Sequence, residues 1–261
     1  MNKKLTIQYI KTDWGNVANW YQKMVNDTDS YQNKVILPNL TRVLDMQKSQ
    51  TILDIGCGVG FFCQKFYEQG AIVTGVDLGA KSIDLAIKNT SKDIKYFIKN
   101  AEKLDFIKPN SIDKITIILT IQNIKSADLC ISECAKILKS SGQIVLVINH
   151  PYFRIPKSTS WMWSEKENLQ YRRVDKYLSS HSVSIDMTPG NNKANQKQET
   201  ISFHRPLEWY FNIFAKNNLV VENMEEWISH RKSDQGPKKT PSLEISRKEI
   251  PLFMCLVVAK K

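Results

Sequence analysis

The stretch TILDIGCGVGFF, from Thr51 to Phe62, constrains the fold more than any other part of the chain. It begins with β-branched and apolar residues and continues into a turn with glycines at positions 56, 58 and 60. Apolar residues at helical spacing follow from Phe61, and Gly70 is placed to end that helix. The pattern predicts a strand, a glycine turn and a helix, in which free backbone N–H groups can approach a bound negative group.

The spacing of these glycines differs from the dinucleotide-binding pattern G-x-G-x-x-G. The third glycine of that pattern would fall at position 61, which is Phe61, and the observed spacing is G-x-G-x-G. Asp54 stands just before the turn, where a carboxylate disfavours a pyrophosphate and favours a ligand that carries an ammonium or another cation. We therefore expect a zwitterionic ligand. The ligand-site residues predicted here are Asp54, Gly56, Cys57, Gly58 and Gly60.

Polar residues suited to an adenosine follow the next predicted strands. A strand over Ala71 to Val76 is followed by an acid, Asp77, which can accept hydrogen bonds from both hydroxyls of a ribose. A strand over Ile94 to Ile98 leads into short polar residues that can contact the edge of an adenine. The residues predicted to hold the adenosine are Asp77, Leu78, Asn100, Ala101, Glu102 and, after the fourth strand, Gln122.

Four stretches in this order, LDIGCGVG, VTGVDLG, NAEKLDF and ECAKILKSSGQIVLVI, resemble the successive motifs of class I S-adenosylmethionine-dependent methyltransferases. The resemblance covers roughly positions 50–149. It implies that S-adenosylmethionine is the cofactor, with its methionine part on the glycine turn and its ribose on Asp77. The family usually has Asp where this chain has Asn100, but the Asn carbonyl can still accept a hydrogen bond from the adenine amino group.

Predicted strands and helices alternate through the same region. Strands are expected at Ile112 to Thr120 and Gln143 to Asn149, with a helix over Ala127 to Lys139 between them. Such alternation predicts an α/β fold with a parallel sheet. The resemblance makes this a Rossmann-like class I methyltransferase fold, a mostly parallel seven-stranded sheet with helices on both faces. Its last two strands, Val220 to Trp227 and Pro251 to Ala259, are expected to form an antiparallel hairpin.

A single domain over 1–261 is expected for a chain of this length, of which 42% is hydrophobic. A helical cap is predicted over 1–49, a cofactor-binding core over 50–149, and a lid inserted after strand 5 over 150–202. The C-terminal helix and antiparallel strands occupy 203–261. The lid sequence has no clear period, and a helix is expected to open at His204-Arg205. The stretches TPGNNKANQKQ and His230 to Glu249 are typical of loops.

Charge and cysteine content limit the partners and the compartment. The net charge of +11 is compatible with RNA binding, but the lysines are spread through the whole chain, so RNA is not the favoured partner. Five scattered cysteines indicate buried thiols rather than a metal site, and a reducing cytoplasmic location is expected. No apolar run approaches a membrane span, and MNKKLTIQYIKTDW lacks the apolar stretch of a signal peptide. No membrane partner is therefore expected, and the oligomeric state stays open.

Methyl transfer from a sulfonium depends on alignment of the reactants, so a large catalytic constellation is not required. His150, at the end of the fifth strand, is a candidate base, although a structural histidine before a loop explains it as well. Tyr21 matches a position where family members often place an aromatic near the ligand, and helix packing is the competing interpretation. Acceptor-binding candidates in the lid, which could instead only fold it onto the core, are Trp161, Trp163, Tyr171, Arg172 and Arg173.

The sequence thus predicts S-adenosylmethionine-dependent methyl transfer to O, N or C of a small or medium organic molecule. One alternative is an RNA methyltransferase, favoured by the net charge and by the aromatic and basic residues of the lid. A second is a catalytically silent S-adenosylmethionine-binding subunit. A dehydrogenase is disfavoured by Phe61 and Asp54. The acceptor itself is not identified, because fold and cofactor do not determine it.

Overall fold

The fold was analysed in a computed structural model that describes residues 12, 14–188, 198–231 and 241–261. The strands are β1 (Thr51–Ile55), β2 (Ile72–Asp77), β3 (Lys95–Ile98), β4 (Ile112–Ile118), β5 (Leu138–Asn149), β6 (Thr159–Ser164), β7 (Leu169–Val174), β8 (His181–Asp186), β9 (Glu199–His204), β10 (Leu219–Trp227) and β11 (Phe253–Lys260). The α-helices are α1 (Ala18–Asn26), α2 (Leu37–Leu44), α3 (Phe61–Glu68), α4 (Ala80–Asn89), α5 (Ala127–Ile137), α6 (Leu207–Lys216) and α7 (Pro241–Glu249).

The central sheet has seven strands in the order β10-β11-β5-β4-β1-β2-β3. β1 pairs in parallel with β2 and β4, and the parallel pairing continues to β3 on one side and β5 on the other. β11 is antiparallel to both β5 and β10. The predicted mostly parallel seven-stranded sheet with a C-terminal antiparallel pair is confirmed. The carboxyl ends of β1 to β4 therefore meet at one edge, which is where open α/β sheets bind ligands.

Helices cover both faces of this sheet, as predicted. On one face, Phe214 of α6 and Ile131 of α5 pack with Leu53 and Ile115 of the central strands. On the other face, α2, α3 and α4 contribute buried residues such as Leu40, Phe66 and Ile83. All five cysteines are buried free thiols. The central strands are apolar on both faces because both are covered.

The N-terminal cap contains a rare helical form. Residues Gln32–Ile36 form a π-helical turn that runs directly into α2, with Pro38 in the first turn. The π-helical turn ends with the bond from the Leu37 N–H to the Gln32 carbonyl, and Pro38, which has no N–H, stands directly after it in the first turn of α2, where proline is tolerated. Pro38 thus lies at a change of helix type and does not break the helical path.

The boundary between α5 and β5 differs from the prediction. The helix ends at Ile137 and the strand begins at once at Leu138, instead of a helix to Lys139 and a strand from Gln143. Leu138 is fully buried and pairs with Ile112, and the register then shifts before Lys114 pairs with Gln143. The register shift accommodates the extra residues Ser140, Ser141 and Gly142, whose sequence is otherwise typical of a turn.

The lid segment is ordered into two antiparallel hairpins, β6-β7 and β8-β9. The prediction of an irregular lid was wrong, because both faces of these strands carry polar or aromatic side chains and the apolar alternation is weak. β9 continues through His204, so the helix predicted to open at His204-Arg205 begins only at Leu207, after Pro206.

The predicted loop over His230 to Glu249 is also partly wrong. Its last nine residues form α7, which packs on the lid, with the Ser246 hydroxyl donating to the Gln170 carbonyl at 2.8 Å. Residues 232–240 of that predicted loop, and 189–197 of the predicted turn TPGNNKANQKQ, lie outside the described residues. Over the ranges that are described, we find no helix with the length and apolarity to cross a membrane.

Gly75 in β2 provides a test of how tightly the glycine turn packs. A Cβ built at Gly75 would lie 2.7 Å from the Tyr96 ring and 2.9 Å from the Cys57 Sγ. We expect Gly75→Ala to lower the free energy of unfolding by about 1–3 kcal/mol, because a well-packed core tolerates added volume poorly. Urea denaturation of Gly75→Ala measures this cost. The same change on a Tyr96→Ala background should cost less, and an equal cost on both backgrounds would contradict the assigned clash.

Candidate active site

The glycine turn has the backbone conformation that its sequence predicts. Gly56, Gly58 and Gly60 have φ values of 68°, 53° and 78°, a region that L side chains rarely adopt. The turn is suspended from β2, because the N–H groups of Gly56 and Cys57 both donate to the Val76 carbonyl. A Cβ at Gly56 would lie 2.1 Å from Thr120 Cγ2. Glycine is therefore required at position 56 for two reasons, the positive φ and the closeness of Thr120, which follows β4.

Asp77, at the carboxyl end of β2, ties this turn to the start of α4. Its Oδ2 accepts the Gly58 N–H at 2.9 Å and its Oδ1 accepts the Gly79 N–H at 2.7 Å. Each carboxylate oxygen has a second lone pair, so Asp77 can hold the turn and still accept a bond from a ligand hydroxyl. The neighbouring Leu78 is 45% exposed. This combination fits the predicted ribose acceptor with an apolar surface beside it.

The predicted adenine-binding residues form a local network at the end of β3. The Asn100 Oδ1 accepts the Glu102 N–H at 2.9 Å, and Glu102 Oε1 accepts the Ser126 N–H at the start of α5. Ala101 between them is buried. Gln122 donates to the Leu119 carbonyl at 2.8 Å, and its buried Oε1 has no partner among the described residues. The network fixes the backbone here and leaves one amide oxygen able to accept a hydrogen bond.

Asp54 lies beneath the glycine turn rather than on its surface. It is 2% exposed, and its two oxygens contact the Thr116 hydroxyl at 2.7 Å and the Cys63 Sγ at 3.5 Å. Burial raises the pKa of Asp54 to about 7, opposed by the bonds from Thr116 and Cys63 and reinforced by Asp77. Asp54 therefore supports the turn from below, with both oxygens already engaged.

Tyr21 of α1 forms a wall over the turn. Its Cε1 lies 3.5 Å from a Cβ built on Gly58, and its ring centroid is 6.0 Å from that of Trp14. Burial, followed by the charges of Asp77 and Asp54, raises the pKa of Tyr21 to about 12, and a hydrogen bond with Gln32 opposes the shift. Tyr21 thus stays a neutral phenol at physiological pH, which suits a wall or a hydrogen-bond donor and not a base.

The His150 side chain is hydrogen-bonded to the backbone just after β5. Its Nδ1 accepts the N–H groups of Tyr152 and Phe153 at 3.2 and 3.3 Å, so the proton is on Nε2, which lies 2.6 Å from Glu226 Oε1. Burial lowers the pKa of His150, against the opposing effect of Glu226. Both ring nitrogens are engaged, an arrangement that favours the structural interpretation over a free base.

The pleat of β6-β7 divides the five acceptor candidates of the lid between two faces. Trp161 is paired with Arg172, and both are partly buried on the inner face, which Trp163 shares by its register. Tyr171 and Arg173 alternate to the outer face, where Arg173 forms an ion pair with Asp175 at 2.7 Å. The hairpin therefore does not bring all five residues to one site.

Sequence reasoning missed part of the wall of this site. Gln32 is buried in the π-helical turn with its Oε1 unpartnered, and the buried Trp14 Nε1 is likewise without a partner in the part of the chain that the structure describes. Leu119, after β4, has a φ of 52°, which is unusual for a leucine. The glutamine had no signal in the sequence, because a π-helical turn displaces residues from the 3.6-residue period used to assign faces.

The raised pKa of Asp54 predicts a dependence of stability on pH. The unfolded carboxyl ionises near its ordinary value of 3.8, whereas the folded one ionises near 7. Over that interval the folded state binds more protons, so the free energy of unfolding falls as pH rises, by on the order of 4 kcal/mol. Asp54→Asn should remove this slope and raise the melting temperature at pH 8 relative to the wild type. Thermal unfolding from pH 4 to 8 measures both effects.

Asp113→Asn is the matched control for that experiment. Partial burial opposes the shift, but the bonds from Lys139 and Thr51 lower the pKa of Asp113 below its ordinary value. Asp113→Asn should therefore lower the melting temperature at neutral pH, whereas Asp54→Asn should raise it. A melting temperature that falls from pH 4 to 7 as steeply in Asp54→Asn as in the wild type would show that Asp54 is not the group responsible.

Comparisons with known proteins agree with this geometry. Residues 53–146 match a family described as a methyltransferase domain. An uncharacterized protein of Haemophilus influenzae is 25% identical over 234 residues, covering 87% of each chain. A ubiquinone biosynthesis O-methyltransferase of Saccharophagus degradans is 30% identical over 96 residues, which is 36% of this chain and 41% of the relative. The chain thus matches about two fifths of that enzyme's length.

The fold agrees over a greater length. The crystal structure of an S-adenosylmethionine-dependent methyltransferase from Mesorhizobium loti superposes with a TM-score of 0.66 at 22% identity, covering 85% of this chain and 95% of that one. This similarity concerns the fold and includes most of the chain outside the matched core. The glycine turn, the strand order and the domain match agree: residues 53–146 match the methyltransferase domain family, and the chain as a whole has the fold of S-adenosylmethionine-dependent methyltransferases.

Proposed function

We propose that the protein transfers a methyl group from S-adenosylmethionine to a small or medium organic acceptor. The observation that carries this proposal is the Asp77 carboxylate, bonded to the N–H groups of Gly58 and Gly79 at the edge where the parallel strands end. A ribose seated on Asp77 would direct the rest of the cofactor along the glycine turn, towards Tyr21.

The residues around the turn fit S-adenosylmethionine chemically. When bound, it supplies an electrophilic methyl group on a sulfonium. Asp77 would accept bonds from the ribose hydroxyls, and Leu78 and Ala101 would border the adenine. Gln32 Oε1 and Trp14 Nε1, which have no partner among the described residues, offer one acceptor and one donor on the wall above the turn. Buried polar atoms of this kind usually find a partner in water or ligand.

Catalysis would then depend mainly on alignment and on exclusion of water. Tyr21 is held as a neutral phenol, and His150 is bonded through both ring nitrogens. Neither predicted catalytic residue is therefore ready to remove a proton from the acceptor. We infer that Tyr21 closes the wall beside the methyl group and that the lid covers the acceptor, so that proximity supplies most of the rate.

Two measurements test this function. Calorimetry should detect binding of S-adenosylhomocysteine, and it should detect no binding of NAD, because Phe61 replaces the third glycine of the dinucleotide pattern. Incubation of cell extracts with the purified protein and a labelled methyl donor should then yield a labelled small molecule. Binding of NAD without binding of S-adenosylhomocysteine would refute the proposal.

An RNA acceptor is the second candidate, and the net charge of +11 favours it. Neutralised phosphates release counterions, so specific RNA binding should weaken steeply as salt rises. Label recovered in RNA, with such a salt dependence, would replace the small-molecule acceptor. Binding of S-adenosylhomocysteine with no labelled product in either fraction would favour the silent subunit.

Asp77→Ala should weaken S-adenosylhomocysteine binding by about tenfold or more for each ribose bond lost, since a bond to a charged group contributes about 1.5–3 kcal/mol. Calorimetry measures the dissociation constant. Asp84→Ala, an exposed change on the neighbouring α4, is the control and should leave it unchanged. Thermal unfolding of both variants shows whether the turn still folds without its Asp77 bonds. An unchanged dissociation constant in folded Asp77→Ala would remove Asp77 from the site.

A further inference from the structure

Two arginines of the lid lie against one tryptophan. The Arg154 Cζ is 5.8 Å and the Arg172 Cζ 5.1 Å from the Trp161 ring centroid. We propose that this arginine pair binds an oxyanion carried by the methyl acceptor, with Trp161 contacting the acceptor's apolar body. The inference rests on the proposed function and names the chemical class of its acceptor: an aromatic or apolar molecule that bears a carboxylate or a phosphate.

Neither guanidinium group has a carboxylate partner among the residues that the structure describes. Arg172 donates from Nε to the Phe153 carbonyl at 2.9 Å and from Nη2 to the Thr159 hydroxyl at 2.8 Å, both neutral acceptors. The Nε of Arg154 is buried without any acceptor among the residues the structure describes. By contrast, Arg173 on the outer face of the same hairpin is ion-paired with Asp175. The uncompensated charge is therefore confined to the inner face.

A third cation adds to the positive charge of this place. Burial lowers the pKa of Arg154, and the charge of Arg247 on α7 lowers it further, while Tyr31 raises it. Burial also lowers the pKa of Arg172 to about 10, and Arg154 adds to that shift. Partly buried like charges repel each other and are costly unless an anion joins them. The presence of these positive charges side by side favours binding of a negatively charged ligand that neutralises them.

The arginine pair is connected to the active site through the cap. Tyr31, which raises the pKa of Arg154, directly precedes Gln32 in the chain. The Gln32 side chain forms a hydrogen bond with Tyr21, whose ring lies next to Gly58. On the other side, the Arg154 N–H donates to the carbonyl of His150 at the end of β5. An acceptor held by its oxyanion at the pair would thus extend along this wall towards the glycine turn.

Guanidinium geometry favours an oxyanion that presents two oxygens side by side. Arginine presents parallel N–H donors that match the two oxygens of a carboxylate or phosphate. A nucleic acid would also offer phosphates, but it would require cations along an extended surface, whereas the unpaired charge here is gathered beside one partly buried tryptophan. These contacts therefore favour a small acid over RNA.

The test compares Arg154→Met with Arg173→Met in the full chain saturated with S-adenosylhomocysteine. Benzoate and phenyl phosphate are titrated separately and followed by ligand-observed NMR, so that the two arms distinguish carboxylate from phosphate. We expect one or both to bind the wild type, with Arg154→Met weakening binding about tenfold or more and Arg173→Met leaving it unchanged. Because the Arg154 guanidinium is bonded to no acceptor in the described part of the chain, Arg154→Met should keep or raise the melting temperature, which a structural arginine would not do.

Further readouts separate this proposal from the proposed function. Arg154→Lys keeps the charge and should retain part of the affinity, and it replaces Arg154→Met if that variant fails to fold. The labelled product of the extract assay should be retained on an anion exchanger. Absence of binding by both probes, equal weakening by Arg173→Met, or a neutral labelled product would overturn the oxyanion site while leaving methyl transfer intact. An RNA oligonucleotide whose binding depends on Arg154 would also overturn it. Loss of S-adenosylhomocysteine binding in the wild type would instead refute the proposed function.

Discussion

The bonds of the Asp77 carboxylate to Gly58 and Gly79 hold together the parts on which the site depends. They join three elements, the glycine turn after β1, the end of β2 and the start of α4. The glycine turn can adopt its left-handed backbone because glycine has no Cβ. A Cβ at Gly56 or Gly60 would in addition clash with Thr120 or Tyr96. The turn, the strand end and the helix start therefore form one unit. Tyr21, the strand ends and the lid are arranged around it.

Much of this unit could be predicted from the sequence, because it depends on local rules. Alternating glycines after a β-branched run require a tight turn, and an acid after the next strand must lie at the same edge of a parallel sheet. The lid could not be predicted in the same way. β6 and β7 place two tryptophans and one arginine on the inner face and a tyrosine and the other arginine on the outer face, so an apolar alternation was absent. The division of the five acceptor candidates becomes visible only once the register Trp161 to Arg172 is known.

Buried charge is treated in opposite ways at the two ends of the site. Asp54 is enclosed by Thr116 and Cys63, and its raised pKa lets it become neutral close to physiological pH. The arginine pair cannot neutralise itself so easily, because an arginine keeps its proton at any pH that cells experience. A carboxyl in the interior can therefore serve the fold alone, whereas guanidinium groups that have no carboxylate partner in the described part of the chain are the basis of the proposed oxyanion site.

The position of β11 has a consequence for how the chain reaches this structure. β11 lies between β5 and β10, although both hairpins and two helices separate it from β5 in sequence. Until β11 arrives, β5 presents an apolar, unpaired edge, since residues 144–148 are all buried in the finished sheet. Closing so distant a pairing is slow, and an open edge of this kind can pair with other chains. The step most exposed to aggregation during biogenesis is thus the docking of β11, three strands away from β1 and its glycine turn. A chaperone that shields β5 would act before that step.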